Sequence, residues 1–204
     1  IRNEADAKAR EVIRQALTEK QAELEEIDRL KASREEFKAE YLKLIGDLER
    51  IADHSVNILE SAEEMQQKGI VFSDTAKAEL KQMLDAVREI IGLSDTAFTQ
   101  HDLKAASMVE PLEQVVDELK DALRTRHIQR LQSGVCSIDA GFVLSDLLTN
   151  LERVSDHCSN IAGCVLDAED RNLNLHESLS VYRKSSEDFR QAFASYRSKY
   201  ALQA

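Results

Sequence analysis

The chain has 204 residues, enough for a core that needs no disulfides. Its six Gly and one Pro are too few to turn the many short strands of a β-sandwich or barrel. Against 38 acidic residues stand 27 basic ones, a net charge of −11 with no Lys/Arg block to offset it, so nucleic acid is not an expected partner.

No apolar run approaches the ~18 residues of a membrane-spanning helix, and no signal peptide is visible. A start at Ile1 rather than Met suggests a fragment of something longer. Cys136, Cys158 and Cys164 form no CxxC pair, which points to reduced thiols in a cytosolic setting.

Taken in chain order, apolar residues recur at three- and four-residue steps almost throughout, as in Leu44, Leu48, Ile51, Ile58 and Ala62. That period predicts an all-α protein. A break is expected between Leu30 and Glu36, for a reason given below. The next falls at Lys68-Gly69 through Asp74, where Ser73 or Asp74 caps a new helix. Helices are then predicted over 75–98, 101–132, 138–169 and 175–202, separated near Thr99–Asp102, at Gln132-Ser133-Gly134 and around Arg171–Asn174. Pro111 lies inside the second of these and is expected to kink it.

The strongest feature is an internal repeat. Leu48-Glu49-Arg50-Ile51-Ala52-Asp53-His54-Ser55-Val56-Asn57-Ile58 recurs 103 residues later as Leu151-Glu152-Arg153-Val154-Ser155-Asp156-His157-Cys158-Ser159-Asn160-Ile161. Such a period holds three helices of about thirty residues, so two tandem three-helix bundles are expected, over 1–99 and 100–204. The first half is short for this plan. Asp117 to Glu152 spans 35 positions, whereas Asp28, taken as the counterpart of Asp117, to Glu49 spans 21. The first hairpin therefore lacks about four helical turns, and either the chain breaks between Leu30 and Glu36 or its first two helices run on as one.

Candidate chemistry sits on the repeated helix. Glu49, Asp53 and Asn57 follow at four-residue steps, as do Glu152, Asp156 and Asn160, so each trio shares a ridge beside the apolar stripe. Glu113 and Asp117 carry the same spacing on the preceding helix, next to a stripe of Leu112, Val116, Leu119 and Leu123. Carboxylates gathered at one seam repel, so their pKa values rise or a hard cation such as Mg²⁺, Ca²⁺, Mn²⁺ or iron neutralises them. The alternative is a solvated acidic face, since many acidic pairs arise by chance in so acidic a chain.

Arg50 and Arg153 suit surface ion pairs. His54 and His157 point away from the acids and suit helix packing or the surface, and Cys158 and Cys164 replace stripe residues as buried, inert thiols. The basic run Arg124–Arg130 suits favourable charge near a helix C-terminus. No Glu-x-x-His, GxGxxG, P-loop or GxSxG occurs, so no enzyme is expected.

At Asp47-Leu48-Glu49-Arg50-Ile51-Ala52-Asp53-His54 and Asn150-Leu151-Glu152-Arg153-Val154-Ser155-Asp156-His157 the chain resembles the PhoU family, whose repeats carry an E-R-I-G-D-H-like helix. From Leu112-Glu113 through Arg126-His127-Ile128-Gln129-Arg130-Leu131 to Tyr200 it is similar to the cytoplasmic PhoU-like tail of bacterial Na⁺/phosphate cotransporters.

The resemblance implies two three-helix bundles with metal sites on their surfaces, holding divalent or iron cations. The ligands would be Glu113, Asp117, Glu152 and Asp156 in the second repeat, and Asp28, Glu49 and Asp53 in the first. Leu24 stands where the family's first-helix acid belongs, with Glu25 as a substitute, and Ala52 and Ser155 replace the usual Gly. The implied function is a regulatory domain at the cytoplasmic face of the inner membrane, partnered by a transporter portion of the same polypeptide and open to homo-oligomerisation. A free-standing PhoU-like regulator of phosphate uptake and signalling, or a metal-free helical scaffold, are the alternatives.

Overall fold

A computed structural model describes residues 2–172 and 187–202. Among these it holds five helices and no strand: α1 (Arg2–Lys68), α2 (Asp74–Gln100), α3 (Leu103–Gln132), α4 (Ile138–Asn172) and α5 (Glu187–Lys199). The all-α expectation holds. The expected break near Arg171–Asn174 and the start of the last helix at 175 fall on or beside residues outside the described ones.

The turns follow local chemistry. Gly69, in the left-handed region with φ +63, closes α1 by sending the Ile70 N–H to the Met65 carbonyl at 2.9 Å and its own N–H to Gln66, a Schellman arrangement that satisfies two free carbonyls. Gly134, φ +72, closes α3 in the same way through Val135 to Arg130 and its own N–H to Leu131. Ser73 caps α2 by accepting from the Ala76 N–H at 3.2 Å, and Asp102 caps α3 by accepting from Lys104 and Ala105, each filling donors that a helix start leaves open.

The break expected between Leu30 and Glu36 does not occur: α1 is one helix of 67 residues. The reason is local. No Gly or Pro precedes Gly46, so nothing supplies the left-handed residue or missing donor that ends a helix. Pairs one turn apart, Glu11–Arg14, Glu26–Arg29 and Asp28–Lys31, favour continuation.

Residues 1–43 and 44–204 form two compact units. In the first, the large apolar side chains Ile13, Leu17, Leu24, Ile27 and Leu30 are exposed. In the second, α2, α3 and α4 pack on one another and α5 packs on α3. The core they enclose includes Met83, Ile90, Val109, Leu112, Val116, Leu123, Val143 and Leu151, and Ile51, Ile58 and Met65 of α1 lie against it. Truncating one such buried Leu costs about 2–5 kcal/mol. α3 and α4 approach closely at Gly141, where a Cβ would meet the His127 ring at 2.8 Å. Pro111 is buried inside α3.

The two motif copies meet within the second unit. Asp47 Oδ1 accepts from His157 Nδ1 at 2.8 Å and from Asn160 Nδ2 at 3.2 Å. Asn150 Oδ1 accepts from His54 Nδ1 at 2.9 Å and from Asn57 Nδ2 at 3.1 Å. The two imidazoles stack with centroids 5.6 Å apart. Asp47 and Asn150, His54 and His157, and Asn57 and Asn160 are each 103 positions apart, so the copies exchange equivalent bonds about a local twofold relation. Both histidines thus serve helix packing, with the proton on Nδ1 fixed by an acceptor oxygen.

Candidate metal centre

α3 and α4 run antiparallel with their acidic edges together. Glu113 and Asp117 lie one helical turn apart on α3, and Asp156 projects from α4. One oxygen from each lies within 4.8 Å of the others. Lining up this edge is a consequence of the adjacent apolar stripe: Leu112, Val116 and Leu119 are buried on α3, and Leu151, Val154 and Cys158 on α4, which leaves the neighbouring positions at the rim of the seam.

The electrostatics are those of crowded carboxylates. Burial, then the charges of Asp117, Asp156, Glu110 and Glu152, push the Glu113 carboxyl up to about 7. Burial first and Glu152 second raise Asp117, and burial, Glu152 and Asp117 raise Asp156. Burial and like charges both disfavour the ionised form.

Glu152 lies beside this group, buried, with Oε1 on Lys120 Nζ at 2.8 Å. Its Oε2 is buried without a hydrogen-bond partner and lies 3.8 Å from the Arg153 guanidinium. Arg153 also reaches Asp156 at 3.3 Å, the surface pairing its place suggested. Three clustered carboxylates with raised pKa values and, next to them, a buried oxygen that accepts no hydrogen bond fit a hard, oxygen-seeking cation such as Mg²⁺, Ca²⁺ or Mn²⁺. Glu113, Asp117 and Asp156 would hold it, displacing protons as it binds.

Glu49 and Asp53 are exposed on α1, and Asp28 is exposed with its carboxylate on Lys31 at 3.2 Å. Among the described residues, no cluster of three metal-capable side chains includes any of them. Sequence reasoning missed Lys120, which neutralises Glu152, and Glu110, which accepts from the Ser159 hydroxyl at 3.3 Å. Both lie one turn from the Glu113/Asp117 pair on the same edge, at i−3 and i+3, a spacing that could have shown them.

The basic run is spent internally: Arg126 and Arg130 hold the buried Glu79 at 3.1 and 2.8 Å. Cys158 is buried, its thiol pushed up to about 12 by desolvation, whereas Cys164, expected to be buried, is only partly so.

An all-helical chain with a repeated acidic helix and a carboxylate cluster on a helix seam defines a helical-bundle protein with a candidate cation site. The chain belongs to the PhoU family, matching the PhoU domain over residues 1–62 and 80–165. It is 30% identical over 146 residues to the phosphate-specific transport system accessory protein PhoU homolog 1 of Thermotoga maritima, covering 72% of this chain and 62% of that protein. To the phosphate-specific transport system accessory protein PhoU homolog of Deinococcus radiodurans it is 26% identical over 121 residues, 59% of this chain and 55% of that one. The chain thus spans about three fifths of the curated relatives it matches. No solved structure gives a significant match. Among the described residues, no helix is long and apolar enough to cross a membrane.

Proposed function

We propose that the chain is a PhoU-type regulator of phosphate transport rather than an enzyme, and that it senses a hard divalent or iron cation through Glu113, Asp117 and Asp156, with Glu152 as a further donor once released from Lys120. The observation that carries the cation part is the carboxylate triad, held within 4.8 Å and raised in pKa by burial and mutual repulsion. A cation there relieves that repulsion and tightens α3 on α4, which gives the bundle a metal-dependent state for a transporter to read. The transport part is supported by the names of the relatives, both accessory proteins of phosphate-specific transport, which favours a regulator acting beside a transporter.

A second reading, a regulatory tail joined to a sodium-dependent phosphate cotransporter at the cytoplasmic face of the membrane, draws on the resemblance of the stretch 112–131. In both, residues 1–99 and 100–204 are two copies of one PhoU-like repeat, a relation supported by the equivalent bonds that Asp47 and Asn150 make. The proposal is tested in cells whose own copy is deleted, by following phosphate uptake after complementation. The wild-type chain restores normal control of uptake and Asp156→Ala restores less of it. Equal restoration by Asp156→Ala removes the cation from the regulatory account, and no restoration by the wild type removes the transport role.

A further inference from the structure

The acidic seam of α3 and α4 already contains a cation that belongs to the chain. Lys120 Nζ lies 2.8 Å from Glu152 Oε1, with the two side chains only 22% and 11% exposed. Lys120 stands one turn beyond Asp117 on α3, and Glu152 one turn before Asp156 on α4, so the ion pair adjoins the cluster of Glu113, Asp117 and Asp156. Its charges reach that cluster. After burial, the Glu152 charge is among the causes that raise all three carboxyls, and Lys120 acts on Asp117 in the opposite sense.

The pair is incomplete for one that serves packing alone. The ammonium uses only Oε1 of Glu152, while Oε2 is buried and accepts no hydrogen bond, although buried polar atoms nearly always find one. Oε2 lies 3.8 Å from the Arg153 guanidinium, a half-exposed group that also reaches Asp156 at 3.3 Å. Lysine is also a loose partner. It grips as a point charge on a flexible stem rather than through the rigid fork of an arginine, and such a stem can stay on an apolar surface while its head turns to water.

We propose that Lys120 is a tethered counter-ion for the cation site: its ammonium holds Glu152 while no divalent ion is bound, and on binding it yields Glu152 to that ion and turns out to solvent. The inference rests on the cation reading of Glu113, Asp117 and Asp156 above and names the residue that regulates that site. Hard divalent cations take six or more oxygen ligands, so a fourth carboxylate adds to what the other three supply. Until it leaves, the ammonium lowers the affinity of the site, because it neutralises one carboxylate and repels a second positive charge nearby.

The exchange changes what the surface shows. Lys120 lies on α3 one turn before Arg124, which is exposed, so the loaded molecule presents two neighbouring positive charges where the unloaded one presents a single guanidinium. The coupling is reciprocal. A change that removes the Lys120 charge strengthens cation binding, and a bound cation makes the Lys120 amine open to reagents.

Both directions are measurable on the full chain. In the first, the metal-stripped wild type is acetylated with an active ester, with and without saturating Mn²⁺, and each lysine is followed by peptide mapping. Lys120 is expected to react several times faster with Mn²⁺ present, while Lys77, paired with Asp74 on the surface of α2, keeps its rate. In the second, calorimetric titration of Mn²⁺ is expected to show Lys120→Met binding about tenfold or more tightly than the wild type, and Lys120→Met with Glu152→Gln losing that gain. Circular dichroism checks that both variants fold, and the labelling arm needs neither. An unchanged Lys120 rate at saturating Mn²⁺, or equal affinity in the wild type and Lys120→Met, overturns the proposal and leaves the cation reading in place. No saturable binding in the wild type or in Lys120→Met removes the cation reading and the proposal with it.

Discussion

Glu49 and Glu152 hold the same place in the repeated motif, yet one is exposed on α1 and the other is buried against Lys120. The difference lies in the neighbour, not in the motif. On α4 the acidic ridge has α3 beside it, with Glu113 and Asp117 brought within reach of Asp156, and burial together with the neighbouring charges raises all three pKa values. On α1 the same ridge faces no second acidic edge among the described residues. A metal-binding motif of this type is therefore half a site, and the helix across the seam supplies the other half.

The largest contrast is expected in stability. Leu151→Ala removes a side chain 3% exposed in the core and should cost about 2–5 kcal/mol, read from urea unfolding midpoints. Its repeat counterpart Leu48 is 45% exposed, and Leu48→Ala in dilute protein should stay within about 0.5 kcal/mol. Equal costs would show that the two copies sit in equivalent surroundings after all.

The polar bonds between the copies give the next contrast. Asp47 is 3% exposed and receives both His157 and Asn160, so Asp47→Ala strands two donors in a buried place and should cost about 1–3 kcal/mol. Asn150 plays the equivalent part at a half-buried position, where water can replace the lost acceptor. Asn150→Ala should therefore cost less in the same unfolding measurement, and the reverse order would break the comparison.

Much of this was legible beforehand. Ser73, Asp102, Gly69 and Gly134 mark their turns because each supplies a local device, a side-chain acceptor or a left-handed residue, that acts within a few residues. The 103-residue period exposed the motif and its acids in the same way. The hairpin was misread because it was inferred from the repeat, a global expectation, while the sequence between Leu30 and Glu36 contains nothing that stops a helix. The bonds of Asp47 and Asn150 to the histidines were out of reach for another reason: they join residues about a hundred positions apart, and no spacing within one helix reports what lies across a seam. Lys120 and Glu110 fall between these cases, since their own spacing from Glu113 and Asp117 is local.

A smaller effect follows from pH. Glu113 moves from its ordinary 4.5 to about 7 in the folded chain, so between those values the folded state holds a proton that the unfolded state has released. Its stabilising contribution is complete below about 4.5 and is lost as pH rises through about 7. In chelator-treated protein the melting temperature should fall over that window, and Glu113→Gln should flatten the fall. A slope unchanged by Glu113→Gln would place the proton elsewhere.

The account rests most directly on whether the triad binds a cation. Calorimetric titration of Mn²⁺ into metal-stripped protein should show a saturable phase accompanied by proton release, because the cation displaces protons from carboxyls of raised pKa. That phase should disappear in Asp156→Ala and persist in Asp53→Ala, whose carboxylate stands outside any cluster among the described residues. A titration identical in the wild type and Asp156→Ala, or no saturable binding in the wild type, would contradict the account and leave the acidic seam as a solvated edge of the bundle.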